Sequence, residues 1–169
     1  MNKTLLVGTQ HINISWDDNH LNNLIESLFA PWNCDSISSS YDISIISQKT
    51  GYILKTKSGS KQCYNQYELI SQLEFAITLL SQNILSKYIQ IHASCIEKNG
   101  HGILFVGDHE SGKSTLALTA ISSGFKALTD DIAVLDINKR CVIGFPRPFK
   151  ATENTFNIKP NMIPEELSR

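Results

Sequence analysis

Gly107-Asp108-His109-Glu110-Ser111-Gly112-Lys113-Ser114 fills every fixed position of the pattern G-x-x-x-x-G-K-[ST], and the residues around it decide how the chain is expected to fold. A triphosphate carries several negative oxygens that must be held without bulk water. A run of backbone N–H groups curling around them at the start of a helix does this well. Gly107 and Gly112 allow the backbone to bend and approach where a Cβ would collide. Lys113 reaches toward the β and γ phosphates as a flexible point charge, and the Ser114 hydroxyl can join a magnesium shell. From average residue usage, a chance match in a chain of this length has a probability of roughly half a per cent.

The motif has meaning only between a strand and a helix. Upstream, Gly102-Ile103-Leu104-Phe105-Val106 is a short continuous apolar run, the pattern of a buried parallel strand. Downstream, Leu116, Ala117, Ala120 and Ile121 fall on one helical face, and Gly124 stands where a left-handed cap is expected. The expected class is α/β.

Beyond that helix, Ala127-Leu128-Thr129-Asp130-Asp131 leads into Ile132-Ala133-Val134-Leu135. In a parallel sheet this strand can return beside the first and bring its acidic flank near the nucleotide. Neighbouring residues on an extended chain point opposite ways, so Asp130 and Asp131 are expected to do different jobs. One would reach magnesium and the other would accept a proton from an attacking hydroxyl. Aspartates are also common at turns and hairpin entries. His92 lies in Tyr88-Ile89-Gln90-Ile91-His92-Ala93-Ser94-Cys95-Ile96, read as one strand. Alone it is a structural histidine, since no second His or Cys stands at zinc-ligand spacing. Arg147, flanked by Pro146 and Pro148, is either a phosphate or substrate contact or a solvated loop residue.

Taken in order, Ile91-His92-Ala93, the loop from Gly107 to Thr115, Gly124-Phe125, Leu128-Thr129-Asp130-Asp131 and Phe145-Pro146-Arg147-Pro148 resemble the HPr serine kinase family, most closely its HPr-kinase-related members. The resemblance is specific across about residues 88–150 and general before that. It implies an α/β fold in which a small α/β unit, residues 1–86, precedes a P-loop nucleotide-binding core of the HPr kinase and phosphoenolpyruvate carboxykinase type, residues 87–169. It implies ATP and magnesium as cofactors, a protein or peptide carrying an acceptor serine as partner, and a homo-oligomeric assembly. Carried over by position, Gly107, Asp108, His109, Glu110, Ser111, Gly112, Lys113, Ser114 and Thr115 would hold the nucleotide. Ser114 and Asp130 would serve the metal, Asp131 would be the catalytic base, and Lys113 and His92 would complete the catalytic set. His109-Glu110 stand where smaller residues are usual. Family kinases continue beyond the Pro-Arg-Pro segment, whereas this sequence ends at Arg169, so the nucleotide unit is expected to be incomplete.

The same residues leave other functions open: a non-catalytic ATP-binding or partner module, a small-molecule kinase, or a nucleotide hydrolase. A guanine-reading Asn-Lys-x-Asp string is absent from the sequence.

With 169 residues the chain can form one domain or two small ones, and its 41% hydrophobic content is ordinary for a folded protein. Fifteen basic and 16 acidic residues give a net charge of -1, which removes the electrostatic case for nucleic acid or an anionic membrane. The apolar run Leu5-Leu6-Val7 stops at Gly8, too short for a signal core or a membrane span, so a cytoplasmic location is expected. Cys34, Cys63, Cys95 and Cys141 are widely spaced and read as free thiols, with Cys95 and Cys141 in apolar strands.

The first half carries no chemical motif. His11–Trp16 alternates as a strand, and Leu21, Leu24, Ile25, Leu28 and Phe29 mark a short amphipathic helix. Residues 41–47 and 51–56 read as a hairpin, followed by a polar turn at 57–61. From Tyr67 to Leu85, apolar residues at 69, 70, 73, 76, 77, 80 and 84 form one buried helical stripe. The boundary falls near Ser86-Lys87, without a Gly/Ser/Pro-rich linker.

Overall fold

Period-two alternation of apolar side chains builds the first half of the molecule, and short apolar strands around one helix build the second. The computed structural model describes residues 1–35, 41–147 and 149, with side chains left aside at 83 and 84. It has mixed helix and sheet content of the α+β kind and divides into two units, Met1–Ser86 and Lys87–Arg169.

The first unit contains β1 (Asn2–Val7), β2 (Gln10–Trp16), α1 (Asn22–Phe29), β3 (Tyr41–Gln48), β4 (Gly51–Thr56), β5 (Gly59–Cys63) and α2 (Gln66–Leu85). Its sheet runs β1-β2-β3-β4-β5; β2 and β3 are parallel and every other pair is antiparallel. The register sets Leu5 opposite Ile12, Ile14 opposite Ile43, and Ile45 opposite Leu54. All of these are buried, so they share one face of the sheet.

Helix α2 packs on β4, β5 and β2, burying Leu69, Leu73, Ala76 and Ile77 from the expected stripe. Its start is fixed by Asn65, whose Oδ1 accepts from Glu68 N, while Glu68 Oε2 accepts from Tyr64 N. The side chain of Ile84, also expected in the stripe, lies outside the described residues. Lys3 is buried on β1 and is tolerated there because its Nζ donates to Glu26 Oε2 of α1 at 2.6 Å. The segment read as a polar turn at 57–61 is a turn only at 57–58; β5 begins at Gly59. Its alternation was hidden because Gly59, Ser60, Lys61 and Gln62 include no apolar residue.

The second unit contains β6 (Ile89–Ile91), β7 (Ala93–Lys98), β8 (His101–Val106), α3 (Lys113–Ile121), β9 (Lys126–Thr129), β10 (Ala133–Asp136) and β11 (Cys141–Ile143). Two three-stranded sheets result, β8-β7-β9 and β11-β10-β6. On one face of β7, Ala93 and Cys95 are buried in a cluster with Ala133, packed by Ile91, Leu104, Leu128 and Val142 of both sheets. On the other, Ile96 packs with Ala117 and Ile121 of α3 and with Phe105 and Phe125. Helix α3, one sheet and the other sheet are therefore stacked in that order.

Several sequence expectations change here. The run before the loop is not a buried parallel strand: among the described residues β8 is an edge strand, antiparallel to β7, with Val106 66% exposed. The strand read across 88–96 splits at His92, because its first part pairs with β10 and its second with β8 and β9. The run after Asp131 does not return parallel beside β8; β10 lies antiparallel between β6 and β11. On α3, Leu118 is buried while Leu116 is 55% exposed, since the helix rests on β7 with the face of Ala117, Leu118 and Ile121. Gly124, at φ +88, ends the helix as expected, with Phe125 N bonded to Ala120 O and Gly124 N to Ile121 O. Cys141 is exposed rather than apolar-buried. Pro148, read as flanking Arg147, lies outside the described residues.

Candidate functional site

The site grows from the junction of β8 and α3. Between them, residues 107–112 turn back on themselves, with Ser111 N bonded to Asp108 O and two left-handed residues, Glu110 at φ +60 and Gly112 at φ +87. Gly112, in the left-handed conformation, is the N-cap of α3, and as a glycine it brings no side chain to cap the first-turn N–H groups of the helix. A Cβ at Gly107 would stand 2.8 Å from Ser111 Oγ, so the loop closes on a position that suits glycine.

Lys113 opens α3 and is largely buried, its Nζ donating to Asp108 O at 2.7 Å and Gly107 O at 3.1 Å. Its ammonium is thus tethered over the loop by two carbonyls. One residue on, Ser114 Oγ donates to Asp130 Oδ1 and Oδ2 at 2.9 and 3.0 Å. Thr115 follows on the same first turn. His109 and Glu110 point away from this cluster: their side chains are each 87% exposed, with Nδ1 and Oε1 3.8 Å apart.

Asp130 is 2% exposed and follows β9 directly. It is held from the sheet side by Ser94 of β7, whose hydroxyl donates to Asp130 Oδ1. Ser94 sits on the α3 face of β7, between Ala93 and Cys95, which face the other way. Sequence reading passed over it; the one signal was a polar residue inside an apolar strand run. Two hydroxyls from two different elements therefore converge on one buried carboxylate, which removes the cost of burying it alone.

Asp131 takes another direction. The pair is not extended, as expected, but lies in a tight junction where the chain leaves one sheet for the other. Asp131 has φ +62, Ile132 N bonds Asp130 O, and Thr129 Oγ1 donates to Ile132 O at 2.7 Å. The two carboxylates still separate: Asp131 Oδ2 lies 3.3 Å from Arg147 Nη2. Arg147 also accepts Asp130 N through its carbonyl, so the Pro-Arg segment closes over the acidic pair by both backbone and side chain. The Arg147 Nε is buried and lacks a hydrogen-bond acceptor among the described residues.

His92 occupies the break between β6 and β7, and its Nδ1 is 3.0 Å from the Asp131 carbonyl oxygen. A carbonyl only accepts, so Nδ1 carries the proton and donates. His92 therefore braces the strained backbone of Asp131 and leaves its carboxyl free of the ring. Lys113, Ser114, Asp130, Asp131, Arg147 and His92 are brought into one chain of contacts, with Ser94 behind them.

The donor set is all oxygen: one hydroxyl and one carboxylate within hydrogen-bond distance of each other. That set suits a hard cation such as magnesium, which usually binds through one or two carboxylates plus water and phosphate oxygens. No cluster of three or more His, Cys, Asp or Glu able to hold a metal occurs among the described residues. Among the described residues no helix is long and apolar enough to cross a membrane. No protein-family model matches the chain, and no solved structure gives a significant match to it.

Proposed function

We propose that the chain is an ATP-dependent serine kinase of the HPr kinase-related type, acting on a protein or peptide in the cytoplasm, with its second unit as a P-loop nucleotide-binding core. The observation that carries this reading is the Ser114–Asp130 contact at 2.9 and 3.0 Å beside the glycine-bent loop. It joins a helix-start hydroxyl to a buried carboxylate, two oxygen donors of the kind that phosphoryl-transfer sites use together.

In this reading the backbone N–H groups of residues 107–115 bind the phosphates, and Lys113 exchanges its two loop carbonyls for phosphate oxygens. Magnesium, held at Ser114 and Asp130, would neutralise phosphate charge. Asp131, whose side chain is 39% exposed, is open to an incoming serine and accepts its hydroxyl proton. Arg147 holds that carboxylate in place, and His92 holds its backbone. His92 is thus a positioning residue rather than a proton carrier.

The test is phosphotransfer from γ-labelled ATP to serine-bearing peptides and candidate proteins. Asp131→Asn should lower kcat by about a hundredfold or more with little change in ATP affinity. Unchanged transfer by that variant would remove Asp131 as base. ATP binding without transfer to any acceptor would favour a non-catalytic nucleotide-binding module instead.

A further inference from the structure

The first unit has a feature that the phosphate chemistry does not use. A groove of about 290 Å³ runs between the β4–β5 hairpin and α2, lined among others by Leu54, Thr56, Lys61, Gln72, Phe75 and Leu79. Phe75 and Leu79, one turn apart on α2, are 57% and 47% exposed and form its apolar wall. Its other wall is β5, the last strand of the sheet among the described residues.

The register shows which backbone groups of β5 are spare. Thr56 pairs with Gly59 across a two-residue turn, so Gly59, Lys61 and Cys63 exchange hydrogen bonds with β4. Ser60 and Gln62 therefore aim their N–H and C=O groups outward, and these groups have no partner among the described residues. An edge of this kind beside an apolar groove is the geometry that accepts an added strand.

Charge identifies the occupant. From Lys49 to Cys63 the chain carries Lys49, Lys55, Lys57 and Lys61 and no carboxylate. Lys55, Lys57 and Lys61 are exposed and form no ion pair among the described residues. Two copies pairing through β5 would set these lysines against each other, so self-pairing is disfavoured. We infer that this edge and groove bind an extended acidic segment of another polypeptide, which pairs with Ser60 and Gln62 and lays apolar side chains against Phe75 and Leu79. The inference is independent of the kinase reading; with it, the segment would be part of the phosphate acceptor.

The experiment uses the full chain and a short fluorescent peptide alternating glutamate with leucine or valine, beside the same peptide with lysine for glutamate, read by anisotropy. The acidic peptide should bind at least about tenfold more tightly and lose affinity with salt. Gln62→Pro removes an outward N–H that the fold does not use and should weaken binding about tenfold or more. Leu79→Asp, on an exposed helix surface, should do the same, and Lys61→Glu should narrow the preference. Equal binding of both peptides, no binding of the acidic one, or wild-type affinity in a folded Gln62→Pro or Leu79→Asp variant would overturn the inference. So would self-association that Gln62→Pro abolishes with no peptide bound, because the occupant would then be a second copy.

Discussion

Asp130 is where stability and metal binding should come apart most clearly. In Asp130→Ala, the hydroxyls of Ser94 and Ser114 lose their shared acceptor, one wholly and one partly inside the protein. At about 1–3 kcal/mol for each orphaned group, the loss should be about 3 kcal/mol. Asp130→Asn keeps the shape and one acceptor oxygen, and Ser114 can rotate to accept from the new amide. Exchanging two charge-assisted bonds for neutral ones costs about 2 kcal/mol, offset in part because an amide is easier to bury than a carboxylate. A net loss of about 1 kcal/mol remains, a fall in Tm of about 2–4 °C for a chain this size. Calorimetric unfolding is the right assay, because both tryptophans, Trp16 and Trp32, lie in the first unit and fluorescence would miss the second. ATP titrations with and without magnesium complete it: the Asn variant should lose most of the gain in affinity that magnesium gives. An Asn variant as unstable as the Ala variant, or one with undiminished magnesium dependence, would refute the reasoning.

Leu118→Ala should cost about 2–5 kcal/mol because Leu118 is fully buried on the inner face of α3, whereas Leu116→Ala should be nearly silent; denaturant unfolding of the pair checks the helix orientation. The exposed Cys141 should react first with a thiol reagent near pH 8, while Cys95, buried with its thiol pushed up to about 11 by desolvation, stays unmodified until the unit opens; mass spectrometry of timed samples reads the order. Asp17 accepts Ser47 N, which holds its carboxyl below the ordinary 3.8, so its contribution is full above that value and is lost as pH falls through the lower folded value. Asp17→Asn should flatten the acid limb of a stability-against-pH curve, and an unchanged limb would count against that bond.

What could be read directly from residues was local and repetitive. The alternation of His11–Trp16, the hairpin at 41–56, the stripe of α2 and the Gly124 cap all follow from periods and turn chemistry within a few positions. Strand partners beyond that hairpin were not legible, because their pairing depends on residues far apart in sequence. β8 reads as apolar from Ile103 to Val106, yet among the described residues it is an edge, since its neighbour β7 takes β9 on the other side. β5 escaped notice because an edge strand over a groove needs no apolar face. At the site, the divergence of Asp130 and Asp131 was anticipated from extended geometry but arises from a left-handed Asp131 at a sheet-to-sheet junction. Ser94 could be placed only once β7 was known to present alternate faces to α3 and to the second sheet.

The measurement closest to the central claim is a calorimetric titration of the full chain with Mg·ATP beside Lys113→Ala, with circular dichroism to verify that both are folded. Residues 107–115 predict saturable binding in the wild type, lost or weakened by at least about tenfold in the variant. A folded wild type that takes up no nucleotide, or a Lys113→Ala variant that binds equally well, would contradict the account.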